Sequence, residues 1–289
     1  MKQLLIVAVL TTVIHMVNTL IYSVRLSGVR TERLATALSL FQVIFLIAST
    51  ANLIQAPLMS SIVEHAINNG VARVGSDQLL GNPFYQHELS LLNSQIRLVI
   101  LSGTLGTILG GLLIPKFVSV FVKWILLLEG IGSVPRMILE AIIRPRKFSS
   151  MKDKFRLPST GRFRDALREP LNIPKYFLIA NIIITGIWTT GVLSALYAGA
   201  LIPHFRSTAT MMSGIINGIA AVLAATVVDP TAAVITDQTM RGVRQEKDVR
   251  QMAIYLAFTR LLGTMLAQVI FVPAALIIRD AAEMLSRWW

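Results

Sequence analysis

Residues 3–25 read QLLIVAVLTTVIHMVNTLIYSVR, from Gln3 to Arg25, and this stretch decides the fold. No charged side chain stands between Lys2 and Arg25. A helix needs ~20 residues to cross a hydrocarbon core of ~30 Å, and this run supplies them. Its polar residues are not scattered. Thr11, His15, Asn18, Tyr22 and Arg25 follow one another at steps of four and three, which sets them on one helical face. A polar stripe at that spacing faces protein or water rather than lipid tails. Leu4–Leu10 imitates the apolar part of a signal peptide, but no small-residue cleavage site follows. The reading is therefore an uncleaved first span.

The rest of the chain agrees. Of 289 residues 54% are hydrophobic and 15% charged, too few charges to cover a soluble domain of this size. Five further apolar runs follow: about Leu34–Pro57, Ile96–Phe117, Tyr176–Ile202, Thr208–Val228 and Met252–Ile278. The predicted fold is all-α, a polytopic membrane helix bundle of about six transmembrane helices forming a single integral membrane domain over 1–289. Residues 1–117 make a first three-span half and 176–289 a second, with an interfacial helix and basic cytoplasmic loop over 118–175. Val118–Ile143 carries Lys123, Glu129, Arg136 and Glu140 around Gly130, Gly132 and Pro135. A broken amphipathic helix on the membrane surface suits those charges better than a seventh span.

Charge sets the orientation. The loops after spans one, three and five hold three, twelve and four basic residues, against five on the other side. The positive-inside rule then places both termini outside. The formal net charge of +12 is concentrated in those loops, which argues for anionic lipids as partners and against nucleic acid. Arg144–Lys175, with Pro145, Pro158, Pro170 and Pro174, reads as a topogenic linker lying on anionic lipid, with docking of an acidic partner as the alternative. The sequence does not set an oligomeric state. With no Cys there are no disulfides or thiolate metal sites.

Three spans per half implies halves of opposite direction, and hence an expected 3+3 inverted repeat. A shift of 173 residues places Arg33 on Arg206, Pro57 on Pro230 and Glu64 opposite Asp237, with Ala48, Ala51 and Ile62 on identical residues. Identity is otherwise low. Proline within a span frees a backbone carbonyl, so bends are expected near Pro57 and Pro230.

Other spans carry polar residues too. Span two presents Gln42, Ser49 and Asn52 on one face, with Gln55 a turn further on. Span six presents Arg260, Thr264 and Gln268 at steps of four. Arg260 lies too deep to snorkel, so it needs an acceptor or a hydrated cavity, and Asp229 is the expected partner. Arg97 reads as an interfacial anchor, and Gly106-x-x-x-Gly110 as a close-packing face. For Thr11 and Asn18 the plainer explanation is interhelical hydrogen bonding, worth ~0.6 kcal/mol each. Zinc-protease, phosphate-loop and nucleophile-elbow motifs are absent, as are clustered carboxylates for a metal. That favours moving or binding something over transforming it, with no cofactor expected.

The segment His15-x-x-Asn-Thr-Leu-Ile-Tyr-Ser-Val-Arg-Leu-Ser-Gly-Val-Arg30, then Ala37-Leu-Ser-Leu-Phe41 and Ala51-Asn-Leu-Ile-Gln-Ala-Pro57, resembles the Amj family of bacterial lipid II flippases. The resemblance is strongest over the first sixty residues. It implies a location in the bacterial cytoplasmic membrane and, as cargo, lipid II, the undecaprenyl-diphosphate-linked disaccharide-pentapeptide. It supplies no residue roles. On physical grounds Arg25, Arg30 and Arg33 at the inner mouth suit bidentate capture of diphosphate. His15, Asn18, Tyr22, Asn52 and Gln55 would line the path, with Asp229 and Arg260 deeper. The residues alone leave open a transporter or channel for another polar solute, and a scaffold recruiting envelope enzymes through the basic loop.

Overall fold

The computed structural model describes residues 2–75, 79–143 and 170–287, and these are helical with short connections. Helix α1 is Lys2–Thr31, α2 Leu34–Val74, α3 Pro83–Ile131 and α4 Val134–Ile143. After residue 169 come α5, Lys175–Leu201, a 3₁₀ turn at Pro203–Phe205, α6, Arg206–Met211, and α7, Ser213–Leu223. A π turn at Ala224–Val228 leads into α8, Asp229–Met240, and α9, Glu246–Ser286, closes the chain. Six segments are long and apolar enough to cross a membrane, the fifth being the interrupted stretch Pro203–Met240. Each expected span matches one of them, with only Ile202 falling a residue beyond its helix. Most of the basic linker, residues 144–169, lies outside the described residues.

The helices outrun the apolar runs that announced them. Asn82 caps the Phe84 amide at 2.9 Å and Pro83 takes the first helical position, so α3 starts well before Ile96. It also does not stop at Phe117. The surface helix expected from Val118 proves instead to be a continuation of α3 as far as Ile131. Gly132 at φ 71° ends it with a left-handed cap, and α4 follows. The reason is packing. Val118, Phe121, Val122 and Ile125 share one face, and Phe121 and Ile125 are buried against Val24, Ala37, Leu40 and Phe41 of α1 and α2. The boundary expected at 117/118 thus falls inside a helix.

Two close helix pairs organise the bundle: α1 on α3, and α5 on α9. Both pairs are parallel. Thr12 meets Gly106 and Met16 meets Gly110, while Thr185 meets Gly263 and Ser194 bonds to the Phe271 carbonyl. At these crossings glycine is required, because a Cβ on Gly106 would collide with the Thr12 carbonyl oxygen, and one on Gly263 would stand 2.7 Å from the Ile182 carbonyl oxygen. In the fourth span, α5, 61% of the apolar window is buried, against 11% in the fifth. Helix α5 is a central post, and the fifth span lies at the periphery. Pro57 sits within an uninterrupted α2, whereas Pro230 directly follows the π turn.

Candidate functional site

The buried apolar residues form separate clusters at the two ends of the bundle. One joins Val7 of α1, Ile96–Ile100 of α3, Leu193–Ala200 of α5 and Ala267–Ile278 of α9. The other joins Leu20 and Leu26, Ile114 and Val118, Phe177–Ile184 and Val249–Leu256 of the same four helices. Between them lies a polar waist. It contains Thr11 and His15 of α1, Thr104 and Thr107 of α3, Thr185, Thr189 and Thr190 of α5, and Thr259, Arg260 and Thr264 of α9. Along α1 the gap from Val7 to Leu20 is ~20 Å at 1.5 Å per residue.

Most of these threonines donate to a carbonyl one turn back on their own helix, as Thr11 does to Val7 at 2.7 Å and Thr189 to Thr185 at 2.7 Å. Their lone pairs stay available as acceptors. Arg260 is different. It is only 7% exposed, its Nε is buried without a hydrogen-bond partner, and no carboxylate among the described residues is within ion-pair distance. Its charge acts on the His15 imidazole. His15 lies over Gly103, where a Cβ would come within 3.0 Å of its Nε2, and His15 Nδ1 is also buried and unpartnered. Two helices therefore present buried polar nitrogens in the waist without a partner among the described residues, a costly arrangement in a dry interior.

The expected Arg260–Asp229 pair does not form. Asp229 opens α8, and the guanidinium that its charge acts on is Arg25 of α1. The two basic side chains expected to stay free at the mouth are also engaged. Arg30 donates through Nε at 3.0 Å and Nη2 at 2.7 Å to one Glu246 oxygen, which also receives Arg250 Nη2 at 2.7 Å. Arg33 pairs with Glu129 at 2.6 Å and donates to the Thr31 carbonyl at 2.7 Å. Arg30, Arg250 and Glu246 tie the end of α1 to the start of α9. The expected result of Glu246→Gln is a loss of about 2 kcal/mol in stability, because it leaves two largely buried guanidinium groups sharing a weaker acceptor. Chemical denaturation of the purified protein would read this, and an unchanged midpoint would contradict it.

The remaining stripe divides. Gln55 Nε2 donates to Thr11 Oγ1 at 2.7 Å, fastening α2 to α1, while Asn52 is exposed. Tyr22 donates to Asn181 Oδ1 at 3.1 Å, and the Asn181 amide continues to the Leu256 carbonyl at 3.0 Å and Thr259 at 2.8 Å. That chain crosses three helices as structural hydrogen bonding, the plainer of the two roles weighed for such residues. Asn18 is half-buried on the stripe. Arg97 is more than an anchor: it donates to the Gln268 carbonyl at 2.8 Å, and Gln268 returns a bond to the Arg97 carbonyl at 2.9 Å. The sequence reading passed over Asn181 and Glu246, and named Glu129 without its partner Arg33. Asn181 could have been found as an amide within an apolar span, and Glu246 from its four-residue spacing to Arg250.

Among the described residues no group of His, Asp or Glu could hold a metal ion. A polar waist holding a buried cation suits reversible binding of an anion. Comparison with known proteins supplies the chemistry. The family model described as Amj, alternate to MurJ, matches residues 10–282. A curated protein of Bacillus subtilis (strain 168), named lipid II flippase Amj, is 35% identical over 287 residues, covering 99% of this chain and 98% of its own length. No solved structure matches.

Proposed function

This chain belongs to the Amj family, and from that premise we propose that it is a lipid II flippase, moving the undecaprenyl-diphosphate-linked precursor from the inner to the outer leaflet of the cytoplasmic membrane. The observation that carries the residue-level reading is the unpaired Arg260 in the polar waist. A diphosphate crossing the bundle would exchange water for a guanidinium that has no competing carboxylate among the described residues, so binding there breaks none of their ion pairs. His15 lies over Gly103 in the same waist, and Arg25 lies toward the basic end of α1. Asn18 on α1 and Asn52 on the exposed side of α2 can serve sugar hydroxyls and peptide amides.

The path thus loses two of its expected cations as free ligands. Arg30 and Arg33 belong to the mouth, where they hold carboxylates. With both termini outside and the basic loops in the cytoplasm, cargo enters beside Arg30 and Arg33 and leaves between the ends of α2 and α5. The membrane potential, negative inside, favours outward movement of an anion by ~2.3 kcal/mol per charge per 100 mV. This is transport without covalent chemistry.

The test is growth of cells that depend on this protein as their only lipid II flippase. Asn18→Leu and Arg25→Ala should fail at normal membrane abundance, and Arg25→Lys should be intermediate, keeping the charge but losing the fork. Full growth of both failing variants would reduce the stripe to packing. Orientation is tested separately at Ser150, outside the described residues. Ser150→Cys should resist an impermeant maleimide in intact cells, and labelling would reverse the assignment.

A further inference from the structure

Arg206, at the start of the fifth span, lies 3.6 Å through Nε from Glu64 Oε1 on α2, each side chain about half exposed. This contact joins the second half of the chain to the first. It borders a cleft of about 250 Å³ that is also lined by Ser60, Ile67, Leu196 and Thr210. No part of the polar waist lines that cleft.

The 173-residue shift gives this pair a counterpart. It carries Arg33 to Arg206 and Glu64 to Asp237, and it also carries Thr12 to Thr185. The last correspondence has structural content on one side of each crossing, because Thr12 sits on Gly106 and Thr185 on Gly263 at the tightest crossings of the two parallel helix pairs, the glycines themselves standing 157 residues apart. A symmetric bundle would therefore pair Arg33 with Asp237 at the opposite end. It does not in this structure. Arg33 holds Glu129 at 2.6 Å, and Asp237 holds Arg241, one turn along its own helix, at 3.2 Å.

We infer that Arg33 and Asp237 form the mirror image of the Glu64–Arg206 pair in a second state, so that the two pairs close opposite faces of the bundle in alternation. The chemistry permits the exchange at small cost. The Asp237 and Arg241 side chains are 59% and 76% exposed, and exposed pairs within one helix contribute little. Arg33 and Glu129 are also substantially exposed, so trading partners leaves the two states close in free energy. Helix α8 packs against α1 and α9, on the side of the bundle where α1 hands over to Arg33. Alternating access asks for such a pair of gates at either side of a fixed waist. The inference rests on the flippase reading for what is moved, but not for whether the gates alternate.

The natural chain has no Cys, so introduced thiols are the only ones. Three variants are treated in membrane vesicles with a short, reductant-cleavable bis-methanethiosulfonate linker: Glu64→Cys with Arg206→Cys, Arg33→Cys with Asp237→Cys, and all four together. Monodisperse protein is then analysed by intact mass and peptide mapping. Each pair alone should bridge, and chains with all four thiols should carry one bridge or the other but never both. Failure of the Arg33→Cys, Asp237→Cys pair to bridge, while the other pair does, overturns the inference. So does the presence of both bridges in one chain. Bridging is read without cargo, so its failure is separate from failure of the sole-flippase growth test.

Discussion

Arg260→Met is expected to keep or raise the stability of the protein while removing its capacity to support growth as sole flippase. A buried guanidinium whose Nε has no hydrogen-bond partner, and which has no carboxylate partner among the described residues, is a cost to the fold, and an apolar side chain of similar length removes that cost. The cargo loses charge-assisted hydrogen bonds worth ~1.5–3 kcal/mol each, which at 1.4 kcal/mol per factor of ten is roughly 10–100-fold in transport. Arg260→Lys keeps the charge but not the planar fork and should fall between. Melting temperature in detergent and growth under flippase depletion read the two effects separately. A Met variant that melts lower yet supports full growth would make Arg260 a structural residue.

The second large effect is on packing. Gly106→Ala should destabilise the bundle by ~1–3 kcal/mol, because the new methyl meets the α1 backbone at Thr12 rather than a side chain that could turn away. Gly111→Ala, on the same helix with nothing within 4 Å, should be neutral or stabilising by up to ~1 kcal/mol through helix propensity. Comparing denaturation midpoints of the two removes any general effect of adding a methyl group. Equal midpoints would mean that α1 and α3 are not held at that crossing.

The contrast between those glycines shows what a sequence can disclose. Gly106-x-x-x-Gly110 marks a close-packing face, and the structure seats Thr12 and Met16 on it. The six spans were equally legible, since bilayer thickness fixes their length and hydropathy their position. Local signals also predicted that the stripe from Thr11 to Arg25 would face protein or water rather than lipid. They did not predict its division, with Tyr22 committed to Asn181 and His15 left beside Arg260. Partners at that sequence separation depend on helix rotation and register, which hydropathy does not encode. The misplaced partner of Arg260 has the same origin: Asp229 follows a π turn, and α-helical periodicity gives the wrong direction beyond it. Val118–Ile131 misled for a different reason. Its charges suggested an interface, but Phe121 and Ile125 had a buried groove between α1 and α2 to fill.

The π turn at Ala224–Val228 makes the fifth span resemble a ratchet with a single tooth. Such a turn accommodates one residue more than an α-helix does over the same rise. Converting it to α-helical bonding would advance everything after it by one residue, which is ~1.5 Å of travel and ~100° of rotation. Asp229 is the first residue past that point, and Asp237 lies two turns further along the same helix. One local exchange of backbone hydrogen bonds would therefore turn Asp229 and re-aim Asp237 in the same stroke, with Thr12–Gly106 and Thr185–Gly263 serving as the fixed bearings.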